Sequence, residues 1–390
     1  MLPASLRPAR VQVGAPVRAA VAASVAVTCL GLAACGATEH PSTALTGAQV
    51  DQSAGASDGG ARAGDPETTG TTSGTSERRC VGPATAVANG TVAPVATGTT
   101  PNLPVTYTDS RGKQLTITRA ERVLALDVAG TIASTVHALG LGDRLVGRDV
   151  STGIPELADR PVVTHNGHEL NAEAILDLAP DLVVTDYSIG PLEVQMQIEE
   201  SGVPVVILSS LRNRSTIAPQ IREVAGVFGL PDLGDQLANR VEADIAAAEA
   251  RIAALAPADP AQRLRMAFLY LRGTAGVYSW LGKGSGADDL ITSLRGIDVA
   301  SELGIPGSRP INAEGLVKSD PDLFLMMSHG LESVGGVTGL QKVPGIADTD
   351  AGRAGCVVDM VDYQILSFGP QFPATLDALA TAVYEQAAPR

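Results

Sequence analysis

The chain has 390 residues, 45% of them apolar and only 3% aromatic, with a net charge of -14. That length leaves room for two modest folded lobes beside unstructured segments. With no basic stripe the charge argues against nucleic-acid binding, and beyond the leader no run of about 18 apolar residues is available to span a bilayer.

Residues 1–35 read as a lipoprotein signal peptide. Arg7, Arg10 and Arg18 form a basic head, Ala19 to Ala34 is a stretch of small apolar residues, and Leu32-Ala-Ala-Cys35 has the form of a lipobox. The apolar stretch is shorter than the roughly 20 residues of a membrane span, so cleavage and lipidation at Cys35 are expected. Residues 36–100 are rich in Gly, Ser, Thr and Ala. Such a segment buries too little apolar surface to offset chain entropy, which predicts a disordered tether. Cys29 leaves with the leader and Cys35 carries lipid. Cys80 and Cys356 remain, and outside the cytosol two leftover thiols are expected to pair.

An N-terminal lobe is expected over 101–230. It opens with a hairpin, Val105 to Asp109 and Gln114 to Ile117 around Ser110-Arg-Gly112. Arg122 to Asp127 reads as a buried strand, and Ala129-Gly-Thr131 opens a helix to Leu139. Leu182 to Thr185 and Val203 to Leu208 are further strands, with a helix from about Pro191 to Ser201 between them. Strands alternating with helices argue for a parallel sheet covered on both faces. From Pro231 to about Ala256, apolar residues recur mostly at four-residue steps, which predicts an amphipathic helix of about 25 residues, ~37 Å long. It is read as a rigid rod over 231–257 joining the lobes and permitting only slight closure. The second lobe, 258–390, takes the strand Leu264 to Leu271, a helix from Gly286 to Leu294, the strand Cys356 to Met360 and a helix from about Pro373.

One segment occurs twice. Asn171-Ala-Glu173 and Pro180-Asp-Leu182 recur as Asn312-Ala-Glu314 and Pro321-Asp-Leu323, each copy a short helix, a Pro-Asp break and an apolar strand. The wide separation does not suit a solenoid. It suits two similar Rossmann-like α/β lobes with a ligand cleft between them.

Ligands in open α/β sheets bind beyond the carboxyl ends of the strands, and two places pass that filter. In Arg265-Met-Ala-Phe-Leu-Tyr-Leu-Arg272 the period of two puts Phe268, Tyr270 and Arg272 on one face. A guanidinium one pleat beyond a phenol can hydrogen-bond it and favour its anion, a good ligand for ferric iron, haem iron included. The plainer alternative is a tyrosine capping the core and an arginine paired with a surface acid. The other place is Thr164-His-Asn-Gly-His-Glu169, a loop with two imidazoles, His165 and His168, able to ligate haem or simply to sit in solvent. His40, His137 and His329 are poorer candidates. A divalent-metal site would need several His and carboxylate ligands converging, which His165, His168, His329 and an acid could supply. No nucleophile elbow, P-loop or His-Glu-x-x-His motif occurs, and Gly282-Lys-Gly-Ser-Gly286 lacks the phosphate-loop spacing, so an enzyme is not expected.

On the Leu139-Gly-Leu-Gly-Asp-Arg-Leu-Val-Gly147 turn, both Asn-Ala-Glu copies and the rod, the chain from about residue 100 onward resembles the substrate-binding lipoproteins of haem and siderophore ABC importers, a class that includes vitamin B12 binders. His165-Asn-Gly-His-Glu-Leu-Asn-Ala-Glu173 and Tyr270-Leu-Arg272 resemble its haem-binding actinobacterial branch. The resemblance implies one axial His from the first lobe, His168 favoured with His165 as the alternative, and axial Tyr270 supported by Arg272. It implies haem b as the transported ligand. It also implies that Glu173 and Glu314 dock on an ABC permease dimer with its ATPase. The expected protein is a monomer, lipid-anchored at the outer face of the cytoplasmic membrane. The rivals are a binder of ferric siderophore or corrinoid, or of a divalent metal.

Overall fold

The structure, a computed structural model, describes residues 82–89 and 91–385. The expected leader, the lipidation at Cys35, Cys80 and most of the tether lie outside them. No helix among the described residues is long and apolar enough to cross a membrane.

The first lobe is built on parallel strands Val123–Leu126, Leu182–Thr185 and Val205–Ile207, in that order. All three are buried throughout, as continuous apolar strands must be when both faces of a parallel sheet are covered. Alternation then sorts their side chains. Val123, Ala125, Val184 and Val206 join the central core, whereas Leu124, Leu126, Val183 and Ile207 form a separate outer cluster. The predicted hairpin is present as Val105–Thr108 against Gln114–Ile117. Asp109 holds its turn by accepting the Arg111 and Lys113 backbone N–H groups at 2.9 and 3.0 Å.

The second lobe is a seven-stranded sheet centred on Arg265–Arg272. That strand pairs parallel with Leu323–Met327 and Ile297–Asp298, but antiparallel with Val277–Leu281. The sheet is therefore mixed rather than wholly parallel. Gly273–Ala275 and the left-handed Gly276 (φ 66°) turn the chain straight back, leaving no room for a crossover helix.

The duplicated segment has a local cause in each lobe. Asn171 caps the helix Ala172–Asp177 by accepting the Ala174 N–H at 3.1 Å, and Asn312 caps Ala313–Ser319 by accepting the Glu314 N–H at 3.1 Å. After each Pro, the aspartate knits its strand to the next one. Asp181 accepts the Arg122 N–H at 2.9 Å, and Asp322 accepts the Arg265 N–H at 2.8 Å.

The rod is the helix Pro231–Leu255. Its buried stripe includes Leu237, Val241, Ile245 and Ile252, packed on the helices Ile217–Val227 and Phe372–Ala380. Gly234 permits the close crossing, since a Cβ there would lie 2.5 Å from the Ala225 Cβ. The same apolar cluster holds Val123 of the first sheet and Phe268, Leu325 and Val358 of the second, so one core runs through both lobes.

The tether does not run to residue 100. Ala84–Ala86 forms an edge strand parallel to Val357–Met360, with the Thr85 hydroxyl bonded to Asp359 at 3.0 Å. Val92 is buried, and the Val95 N–H donates to the Ala138 carbonyl at 2.8 Å. This short run of small residues is ordered because existing sheet and helix edges supply its backbone partners. Cys356, at the foot of that edge pairing, is buried, and Cys80, its expected partner, falls outside the described residues.

Candidate functional site

Tyr270 and Arg272 arrive at the carboxyl end of the central strand of the second sheet. The predicted alternation holds, with Phe268 in the shared core, Tyr270 half-buried at its margin, and Ala267, Leu269 and Leu271 on the opposite face. The predicted hydrogen bond between Arg272 and the phenol is not formed. The guanidinium carbon instead lies over the Tyr270 ring, 4.5 Å from its centroid, a cation–π contact. Two anchors hold it there: Nη2 donates to Asp362 Oδ2 at 2.7 Å and Nη1 to the Leu271 carbonyl at 2.8 Å. Asp362 stands two residues past the strand Val357–Met360 and draws the guanidinium away from the hydroxyl. The hydroxyl itself has no hydrogen-bond partner among the described residues.

The two histidines sit on a small hairpin, Thr164–His165 against Glu169–Leu170. Asn166 (φ 45°) and Gly167 (φ 89°) turn it through the left-handed region, which these two residue types tolerate best. His165 faces back along the ladder, with Nε2 3.4 Å from Glu169 Oε2. His168 follows the turn and lies with Nδ1 3.5 Å from the Ser151 hydroxyl, leaving Nε2 without a protein partner among the described residues. Burial, and then the Arg272 charge, pull the His168 pKa below its ordinary value, while Asp362 opposes them. By surface area the ring is exposed; walls that crowd it without covering it reconcile the two observations. Arg272 and Asp362 belong to the second lobe, so His168 lies within electrostatic reach of the residues around Tyr270.

The lobes also touch directly. The Ser134 hydroxyl donates to Gln371 Oε1 at 2.6 Å, and the Tyr363 ring packs against Gly153, where a Cβ would stand 2.0 Å from it. Ser151, Tyr363 and Gln371 share the lining of a recess of about 280 Å³, open solvent included.

Behind the first-lobe wall lies a buried charge cluster that sequence reasoning did not find. Asp127 and Asp186 directly follow the first two strands, and Arg212 follows the third. Arg212 Nη2 is 2.6 Å from Asp186 Oδ2 and 3.6 Å from Asp127 Oδ2. Asp149 completes the group, fully buried, accepting the Ser151 N–H at 2.7 Å and the Asp127 N–H at 3.2 Å. Burial and then the Asp127 charge push Asp149 up to about 7, and the same causes push Asp186 up to about 6. Position one residue past a buried strand was the available signal.

The sequence neighbours of these four charged residues are apolar and exposed. Val128, Val150, Tyr187 and Leu211 are 40 to 57% exposed, at or near the carboxyl ends of strands that are themselves buried. Val128 is tied to Ser188, and Val150 to Thr164 of the histidine hairpin, each through its N–H at 3.1 Å. Glu173 and Glu314 are exposed in the first turns of their capped helices, equivalent places in the two lobes. Among the described residues no three or more His, Cys, Asp or Glu side chains are grouped to hold a metal ion.

Residues 128–363 match the family described as periplasmic binding protein. The crystal structure of the haem-binding protein HmuT is 45% identical, with a TM-score of 0.75, and the match covers 79% of this chain and 98% of that one. Further structures of that protein carry a His, a Tyr or an Arg replaced by Ala, the last two lying two positions apart. The periplasmic haem-binding protein RhuT from Roseiflexus sp. RS-1, in apo form, is 36% identical with a TM-score of 0.63, over 69% of this chain and 100% of that one. A vitamin B12-binding protein of Vibrio campbellii is 26% identical over 128 residues, 33% of this chain and 46% of that protein, so the match spans about half of that relative's length.

Proposed function

The chain belongs to the periplasmic binding protein family, and on that footing we propose that it is an extracytoplasmic protein that binds haem between its lobes and passes it to an ABC permease. What supports this is that Arg272, stacked on the Tyr270 ring of the second lobe, acts electrostatically on His168 of the first. Neutral imidazole and phenolate are both haem-iron ligands. The lowered pKa keeps His168 in the neutral, ligating form near pH 7. His168 is preferred to His165, which is occupied with Glu169. Arg272 supports Tyr270 from the ring face, and Val128, Val150, Tyr187 and Leu211 offer apolar contact to a flat macrocycle. HmuT and RhuT are themselves haem-binding proteins by name, and the Tyr-x-Arg spacing of the HmuT variants matches Tyr270 and Arg272.

In the same reading, lipid on Cys35 tethers the protein to the membrane. A Cys80–Cys356 disulfide fixes the tether's end to the second lobe, beside the edge strand Ala84–Ala86. Glu173 and Glu314 meet the two halves of the permease, and the protein works as a monomer that binds and does not catalyse.

Haemin titration of the purified protein tests this. A Soret band distinct from free haemin is expected, and it should shift strongly in Tyr270→Ala and in His168→Ala. A spectrum identical to that of free haemin would end the proposal. The vitamin B12-binding relative favours one rival, a corrinoid ligand, and cobalamin displacing bound haemin would support it.

A further inference from the structure

Arg272 depends on a residue to which no role has been given. Its guanidinium has two good anchors, the Leu271 carbonyl at 2.8 Å and Asp362 Oδ2 at 2.7 Å; the Met327 sulfur at 3.6 Å is a weak third. Asp362 is itself fixed, because its Oδ1 accepts the His329 N–H at 3.1 Å at the start of the helix Ser328–Ser333. Gly330 keeps the space clear, since a Cβ there would lie 3.0 Å from the Leu271 carbonyl and 3.4 Å from Arg272 Nη1. The cage closes the guanidinium onto the Tyr270 ring at 4.5 Å. Leu271 is the arginine's immediate neighbour and its carbonyl follows the strand. A four-torsion side chain held there alone is free to swing about the rest of its length. The carboxylate is therefore the contact that selects the stacked position.

We propose that Asp362 is the positioning residue of the site, fixing Arg272 on the face of Tyr270 so that the phenol oxygen stays free for a ligand. Without it, the guanidinium swings into the opening and competes for that oxygen or for the ligand's own anionic groups. The proposal rests on the reading that Tyr270 is a ligand to haem iron. Among the described residues, His168 is the first-lobe titratable group on which the charges of this pair act, while His329 flanks it through its main chain.

The test uses Asp362→Asn, Arg272→Ala and the double variant. In a crystal structure of the haem-free Asp362→Asn protein the guanidinium should have left the Tyr270 ring. Finding it still stacked there overturns the proposal, whatever haemin does. In haemin titrations Asp362→Asn should weaken binding and move the visible spectrum in the same direction as Arg272→Ala. The double variant should be no weaker than Arg272→Ala to within about twofold, the scatter within which independent effects add. Losses that multiply in full would mean that Asp362 acts separately, which also overturns it. Should Asp362→Asn fold poorly, Asp362→Ser carries the same readouts, as its hydroxyl can still accept the His329 N–H. A wild-type protein that does not bind haemin would sink the haem reading alone, leaving the haem-free structure to decide the role of Asp362.

Discussion

The buried carboxylates make stability fall as pH rises through a range where most proteins are at their most stable. Asp149 is raised from 3.8 to about 7, by burial first and by the Asp127 charge second. Between those values the folded chain holds a proton that the unfolded chain has released. The stabilisation is complete below the unfolded value and is lost as pH climbs through the folded one. Each pH unit in that span is worth about 1.4 kcal/mol, so Asp149 alone removes up to about 3 kcal/mol between pH 5 and pH 7. Asp186, raised to about 6 by the same causes, adds a loss of the same sign that is spent by pH 6. His168 works in the opposite direction, since its lowered pKa costs stability as pH falls below 6.5, but its ring is exposed and its part is small. With a urea m-value of about 3 kcal/mol/M, the unfolding midpoint should drop by about 1 M from pH 5 to pH 7. Asp149→Asn keeps an acceptor for the Ser151 N–H, gives up the Asp127 bond at about 1 kcal/mol and has nothing to titrate. Its midpoint should be lower than wild type at pH 5 and flat between pH 6 and 7. A wild-type midpoint that rises or holds level over that range refutes the reasoning, and so does an Asn variant that keeps the full slope.

Two further outcomes test the frame. Gly153→Ala drives a methyl into the Tyr363 ring, 2.0 Å away, and overpacking of this kind costs about 1–3 kcal/mol. Calorimetry should show a lower Tm that Tyr363→Ala partly restores in the double variant, and an unchanged Tm would mean the lobes do not bear on each other there. Glu173→Ala combined with Glu314→Ala should abolish haem-dependent growth in cells while haemin affinity in vitro stays within twofold or so; lost affinity would assign these acids to the fold.

Whatever rests on local pattern was legible in the sequence. The Pro-Asp breaks at 180–181 and 321–322, the four-residue rhythm from Pro231 and the alternation through Arg265–Arg272 each encode their element in neighbouring residues. The failures share the opposite character. Ala84–Ala86 has no strand signal of its own and is ordered because the strand Val357–Met360, far along the chain, presents an unpaired edge. The alternation puts Arg272 on the right face and leaves the phenol or an acid open as its partner; which acid is not legible, because Asp362 enters its surroundings only through the sheet pairing of Leu323–Met327 with both neighbours. The Asp127–Asp186–Arg212 cluster joins three loops that only the strand order brings together. The hairpin under His165 and His168 does carry a local signal, the Asn166-Gly167 pair.

The two walls reach the same electrostatic end by different means. In the first lobe three carboxylates lie behind the surface. Arg212 sits between Asp186 at 2.6 Å and Asp127 at 3.6 Å and offsets their charge, and burial raises Asp149 to about 7, so that it holds a proton over part of the physiological range. In the second, Arg272 and Asp362 cancel each other within 2.7 Å. On the proposed reading, neither wall presents a strong uncompensated charge to the ligand, which meets apolar surface, one imidazole and one phenol. A site of that kind discriminates against small hydrated ions, whose desolvation it cannot offset. It favours a large flat apolar ligand whose metal accepts two axial donors and whose charges remain at the rim, in water. The duplicated Asp181 and Asp322 make the two lobes alike in frame, and the residues just past their strand ends make them unlike in chemistry.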